Sequence, residues 1–144
     1  MPLIKRAKQV PHGQAEMYAL VNNVAQYPEF VPWCSKSEVI RSEADLIEAK
    51  LTFSKGGLER SFTTINRLQP HKMIEIRLVD GPFEYLEGFW RFESRSAGCL
   101  VILDLNFEFN NKVTQLVFGG FFNQIASLLV DTFCERANDL HEGC

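Results

Sequence analysis

The sequence predicts one α+β domain: a curved antiparallel sheet of seven strands wrapped around a long C-terminal helix, with two short helices after the first strand. Three observations lead there. The chain has 144 residues, 46% of them hydrophobic, enough for one core that buries roughly two-thirds of the unfolded surface without a metal or disulfide. Its middle alternates apolar and polar residues with a period of two, the mark of half-buried strands. Its last third abandons alternation for helical spacing, and the chain's long apolar helix stands there.

The elements follow in order. Residues 3–10 (LIKRAKQV) read as a strand ended by Pro11-His12-Gly13. From Gln14 to Asn23 the apolar residues Ala15, Tyr18, Ala19 and Val21 fall at helical spacing. Pro28 and Pro32 then limit residues 24–34 to a short helical turn and an extended exit. Residues 38–44 are a weak strand candidate. Ile47, Ala49, Leu51 and Phe53 alternate with polar partners, Lys55-Gly56-Gly57 turns the chain, and Leu58, Phe62 and Thr64 continue on the return strand. After Gln69-Pro70-His71, Ile74, Ile76 and Leu78 alternate until Asp80-Gly81-Pro82. Phe83–Phe92 is a strand with Trp90 and Phe92 on one face, Ser94–Gly98 a loop, and Leu103, Leu105, Phe107 and Phe109 define the last strand.

Asn110-Asn111 are suited to cap the helix that spans 112–140. One apolar stripe runs through Val113, Leu116, Val117, Gly120, Phe121, Ile125 and Leu128, and a second through Phe118, Phe122, Leu129 and Phe133. This exceeds the stripe of a surface helix, so the helix is either covered on most sides or shares one stripe with a partner. A sheet with one apolar face must bury it, and here only this helix is long enough to serve. A sheet that curls through its own twist around a straight helix leaves unfilled volume at its mouth, the helix-grip arrangement, and the short helices would close that mouth.

Composition removes several function classes. A net charge of −3 gives no general drive toward DNA or anionic membrane. Cys34, Cys99, Cys134 and Cys144 lack any CxxC spacing, and His12, His71 and His141 form no HExxH, so no metal site is expected; the nearest pair, His141 with Cys144, belongs to a fraying tail. Val113–Val130 carries no charge, but the adjacent amides of Asn123 and Gln124 would sit near a bilayer centre, so no transmembrane span is expected. Met1–Arg6 lacks an apolar signal core, and the expected location is cytoplasmic.

Three segments resemble a known family. They are Pro11-His12 with Met17–Val24 and the run Tyr27-Pro28-Glu29-Phe30-Val31-Pro32-Trp33-Cys34; Leu78–Phe83; and Leu105–Phe109 leading into the last helix. Together they resemble the START-like (SRPBCC) proteins of the coenzyme-Q-binding and RatA ribosome-association toxin group, over essentially the whole chain, 1–144. The resemblance implies the START-like fold and a hydrophobic cavity. It also implies two activities: binding of an isoprenoid quinone or lipid, and association with the large ribosomal subunit that impairs subunit joining.

The candidate residues follow from face assignment. Phe53, Phe62, Trp90, Phe92 and Phe107 fall on the inward strand face, with Phe121 and Ile125 opposite on the helix. They form either a Phe-rich core or the wall of a pocket expected to exceed several hundred Å3, in the size range of ligand sites. Tyr27, Phe30 and Trp33 on the prolyl segment form a packed lid or a ligand gate. Arg60, in register with Phe62, and Asp80, in register with Leu78, either reach water near strand ends or serve as polar anchors for a quinone carbonyl or lipid headgroup. Gly119-Gly120 marks a bend, a close contact or room for a ligand. Lys5, Arg6 and Lys8 form a solvated edge or an RNA contact. No Ser-His-Asp, Cys-His or paired-carboxylate spacing is present, so no catalytic residue is expected; the alternative is a cyclase/dehydratase-like enzyme using the same cavity.

Overall fold

A computed structural model describes residues 3–141. Strand β1 (Leu3–Val10) leads into helix α1 (Gln14–Asn22) and a 3-10 helix (Val24–Glu29) that contains Pro28. Six strands follow: β2 (Cys34–Glu43), β3 (Leu46–Lys55), β4 (Leu58–Gln69), β5 (Met73–Asp80), β6 (Phe83–Arg95) and β7 (Gly98–Phe109). Helix α2 (Lys112–His141) ends the described chain. The side chain of His141 and the whole of Cys144, the pair considered above as metal ligands, lie outside the described residues.

All strands pair antiparallel in one seven-stranded sheet of order β1-β7-β6-β5-β4-β3-β2. Register shifts at Cys34/Lys36 and Val39/Arg41 in β2, at Val79 in β5 opposite Thr63/Thr64, and at Phe83/Tyr85 in β6 bend the strands. The bent sheet curls around α2. β2 begins at Cys34, earlier than its polar sequence predicts, because pairing with β3 carries a strand that has almost no apolar face of its own. β1 and β2 are the two edges, and both are studded with exposed charges: Lys5, Arg6 and Lys8 on one, Lys36, Glu38, Arg41 and Glu43 on the other. The β6–β7 hairpin closes through Gly98, whose φ is 146°.

The stripe of α2 that enters the sheet differs from the one assigned from sequence. Phe118, Phe122, Ile125, Ala126, Val130, Phe133, Cys134 and Ala137 are buried. Val113, Leu116 and Val117 face out, with Leu116 85% exposed. Both stripes are apolar, so periodicity alone does not choose between them; the sheet takes the one that carries more aromatic volume. Asn111 is the cap, its Oδ1 accepting from the Thr114 amide at 2.8 Å. Gly119 lies buried with Phe109 as its neighbour, and Gly120 faces open space. By length and composition α2 would be long enough to cross a membrane, yet its aromatic side is sunk in the core.

Candidate functional site

Between α2 and the inner face of the sheet lies a cavity of about 90 Å3. Leu51 and Phe53 of β3, Phe62, Thr64 and Asn66 of β4, Ile74 and Ile76 of β5, Leu86 and Trp90 of β6 and Leu105 of β7 form its floor. Phe122, Ile125, Ala126, Leu129 and Phe133 of α2 form the roof, and Val21, Tyr27 and Val31 close the side. The expected volume of several hundred Å3 is therefore corrected downward. The reason is aromatic packing. The Phe122 ring lies 4.8 Å from Phe107, 4.9 Å from Phe83, 5.8 Å from Phe62 and Phe118, and 6.0 Å from Phe109. These rings fill the end of the grip near the start of α2. For scale, an apolar cavity of about 150 Å3 accepts one benzene.

Of the residues singled out from sequence, Tyr27, Phe53, Phe62, Trp90 and Ile125 line this cavity. The others do not. Phe92 is buried against Tyr18, with ring centroids 5.9 Å apart. Phe107 is buried in the Phe122 cluster. Phe121 turns outward to Trp33, 5.6 Å away, and the Lys55 ammonium sits 4.3 Å from the Trp33 ring. Trp33 itself adopts a left-handed φ of 61°, a conformation that bulky residues keep only when their surroundings impose it. Here its ring is clamped between Phe121 and Lys55, and its carbonyl accepts from the Ser54 amide at 2.9 Å.

The lid is the 3-10 segment. The Tyr27 ring packs on Phe30 and Phe133, and Phe30 packs on Phe133 at 5.3 Å. Arg136 of α2 covers Phe30 at 4.9 Å and reaches Glu29 at 3.3 Å. The Tyr27 hydroxyl donates to the Val21 carbonyl, and burial pushes its ionisation well above the ordinary range.

Arg60 and Asp80 are not at this cavity, which corrects the expected anchors. Arg60 shares the face of Phe62 but sits near the strand start, its Nη1 donating to the Glu59 carbonyl at 2.8 Å. Asp80 is exposed, because the register shift at Thr63/Thr64 sets it opposite Thr63 rather than on the inward row with Leu78 and Thr64. The polar wall groups that sequence reasoning missed are Thr64 and Asn66, with the Thr64 hydroxyl donating to Asn66 Oδ1 at 3.0 Å. The signal was present: 62, 64 and 66 share one parity.

Lys5, Arg6 and Lys8 divide between two faces. Lys5 lies 4.0 Å from Asp104 on the outer face, and Lys8 reaches Asp131 of α2 at 3.3 Å. Cys34, Cys99 and Cys134 are free thiols in the interior. Burial raises the Cys34 and Cys134 thiols from an ordinary value near 9 to about 11. Unfolded thiols ionise first, so their contribution is complete below pH 9 and is lost as the pH rises through 11. The urea midpoint is expected to fall across that window, and less so in a Cys34→Ala, Cys134→Ala double variant; equal slopes would refute the assignment.

Residues 10–134 match the family described as polyketide cyclase / dehydrase and lipid transport. The chain belongs to this START-like family. Within it, the chain is 40% identical to the ribosome association toxin RatA of Pseudomonas aeruginosa, over 96% of each chain. It is 26% identical to the mitochondrial coenzyme Q-binding protein COQ10 homolog B of Xenopus laevis, over 88% of this chain and 54% of that one. Among solved structures, the Zhui aromatase/cyclase of Streptomyces sp. R1128 superposes with a TM-score of 0.85 at 13% identity, covering 98% and 96%. That likeness is one of START-like fold. Sequence thus relates the chain to proteins named for a toxin and a quinone binder, and fold relates it to one named for a cyclase.

Proposed function

We propose that this START-like protein binds a hydrophobic small molecule of the quinone or lipid class without transforming it, and associates with the large ribosomal subunit in the cytoplasm. The observation that carries the ligand reading is the cavity itself, apolar among the described residues except at Tyr27, Thr64 and Asn66. About 90 Å3 does not accommodate a quinone ring, so binding requires the walls to move, and the Tyr27–Phe30 segment packed on Phe133 is the proposed moving part. That segment is suited to it. Pro28 donates no backbone hydrogen bond, and on the α2 side the lid is held by ring packing and the exposed Glu29–Arg136 contact.

The 40% identity to a ribosome association toxin supports the second half of the proposal. The cyclase alternative is less favoured because, among the described residues, the cavity's one titratable wall group is Tyr27, which is engaged with Val21 and resists ionisation. One purification tests the whole reading. Protein taken from its own host is expected to carry an isoprenoid quinone or lipid in native mass spectrometry, and to co-sediment with large subunits in a salt-sensitive manner. Lys5, Arg6 and Lys8 changed together to Glu should abolish the sedimentation. Empty protein would remove the ligand half, and sedimentation with neither subunit at low salt would remove the ribosomal half.

A further inference from the structure

We infer that Asn66 is the recognition group of the cavity, and that the ligand it selects is a neutral molecule presenting a carbonyl-type acceptor from an otherwise apolar body. This rests on the ligand reading above and specifies its chemistry. The count of donors and acceptors at the wall leads to it. The Tyr27 hydroxyl gives its proton to the Val21 carbonyl. The Thr64 hydroxyl, on a side chain that is 7% exposed, gives its proton to Asn66 Oδ1 at 3.0 Å. With its oxygen held in this way, Asn66 has its Nδ2 hydrogens to offer. An amide presents two donors there and no charge.

Placement adds to the count. Asn66 lies on the inward row of β4 with Phe62 and Thr64, beside Ile47 of β3 and Ile76 of β5. A few polar groups among aliphatic and aromatic walls are the pattern by which apolar sites orient a ligand, and of the three here Tyr27 and Thr64 already spend their donors within the protein. Among the described residues, no Lys, Arg, His, Asp or Glu lines the cavity. A charged headgroup would therefore be buried without a counter-ion, at a cost far above what one amide returns. A carbonyl accepts from Nδ2 with no such penalty. A molecule without an acceptor leaves that donor unmet once water is expelled.

The test uses the full chain with Trp33→Phe, so that Trp90, on the cavity wall, is the sole tryptophan reporter. The probes are butyrophenone and butylbenzene, matched in shape except for the carbonyl, titrated while the Trp90 indole resonance is followed. Butyrophenone should bind about tenfold tighter than butylbenzene. Asn66→Leu should weaken the ketone by about that factor and leave the hydrocarbon equal or tighter, with Asn66→Ser as a smaller, still polar replacement that retains part of the preference. Thermal unfolding of each variant confirms that it is folded. Equal binding of both probes, or a preference that survives Asn66→Leu, overturns the role of Asn66 while the cavity reading stands. If neither probe moves Trp90, both fall.

Discussion

Phe122→Ala is expected to lower stability by about 3–5 kcal/mol and, in the same protein, to increase the uptake of small aromatic molecules above that of the wild type. Phe122 is the ring on which Phe62, Phe83, Phe107, Phe109 and Phe118 converge, and it also forms part of the cavity roof. Removing it deletes one side of five ring contacts and joins the vacated space to the existing 90 Å3. Neighbouring rings cannot collapse into the gap, because each is anchored on a strand or on the helix. Urea unfolding gives the stability loss, and a rise in melting temperature with saturating benzene or indole that exceeds the wild type's reads the new volume. A loss below about 1 kcal/mol, or no response to benzene beyond the wild type's, would show that the cluster repacks and that Phe122 does not limit the cavity.

The second large effect is expected at Gly98, in the turn between β6 and β7. Its φ of 146° lies where side-chain-bearing residues are rare, and a Cβ there would stand 2.0 Å from the Val10 carbonyl oxygen and 2.9 Å from the Pro11 Cα. Backbone cannot swing aside as the tip of a side chain can. Gly98→Ala therefore combines a strained conformation, about 1–3 kcal/mol, with overpacking of similar size, for roughly 2–6 kcal/mol in total. The damage should be local to the point where β1 ends against β7. Hydrogen exchange is expected to accelerate first at the Val10–Cys99 and Gln9–Leu100 pairings. Wild-type stability in this variant would mean that the hairpin accommodates the methyl group by opening away from Pro11.

The sheet was legible because alternation and turn residues are local signals: Lys55-Gly56-Gly57 and Asp80-Gly81-Pro82 mark hairpins that the pairing of β3 with β4 and β5 with β6 carries out. The resemblance around Tyr27–Cys34 identified the family. What stayed hidden depends on distances between elements. The sequence of α2 offers two apolar stripes, and only the sheet decides that Phe118 and Phe122 go in while Phe121 turns to Trp33. Asp80 seemed inward by parity, yet one irregular step at Thr63/Thr64 displaces it. Phe92 and Phe107 lie on the predicted face but behind other rings, since facing the core does not mean bordering its empty part. Asn66 carries no charge to mark it in the sequence, and a neutral amide costs less to bury than a charge.

An open sheet leaves two rows of backbone donors and acceptors that invite another chain to add a strand. In β2 that invitation is withdrawn twice over. The register breaks at Cys34/Lys36 and Val39/Arg41 leave no long regular stretch, and Lys36, Glu38, Arg41 and Glu43 would each meet a copy of themselves or a neighbour's charge. At β1 the deterrent is Lys5, Arg6 and Lys8. Those three cations thus guard against fibre growth whatever else they contact. The Glu substitutions proposed for the sedimentation assay keep that guard, whereas Ala or Val at the same positions would bare the edge and bring self-pelleting protein down with the ribosomes.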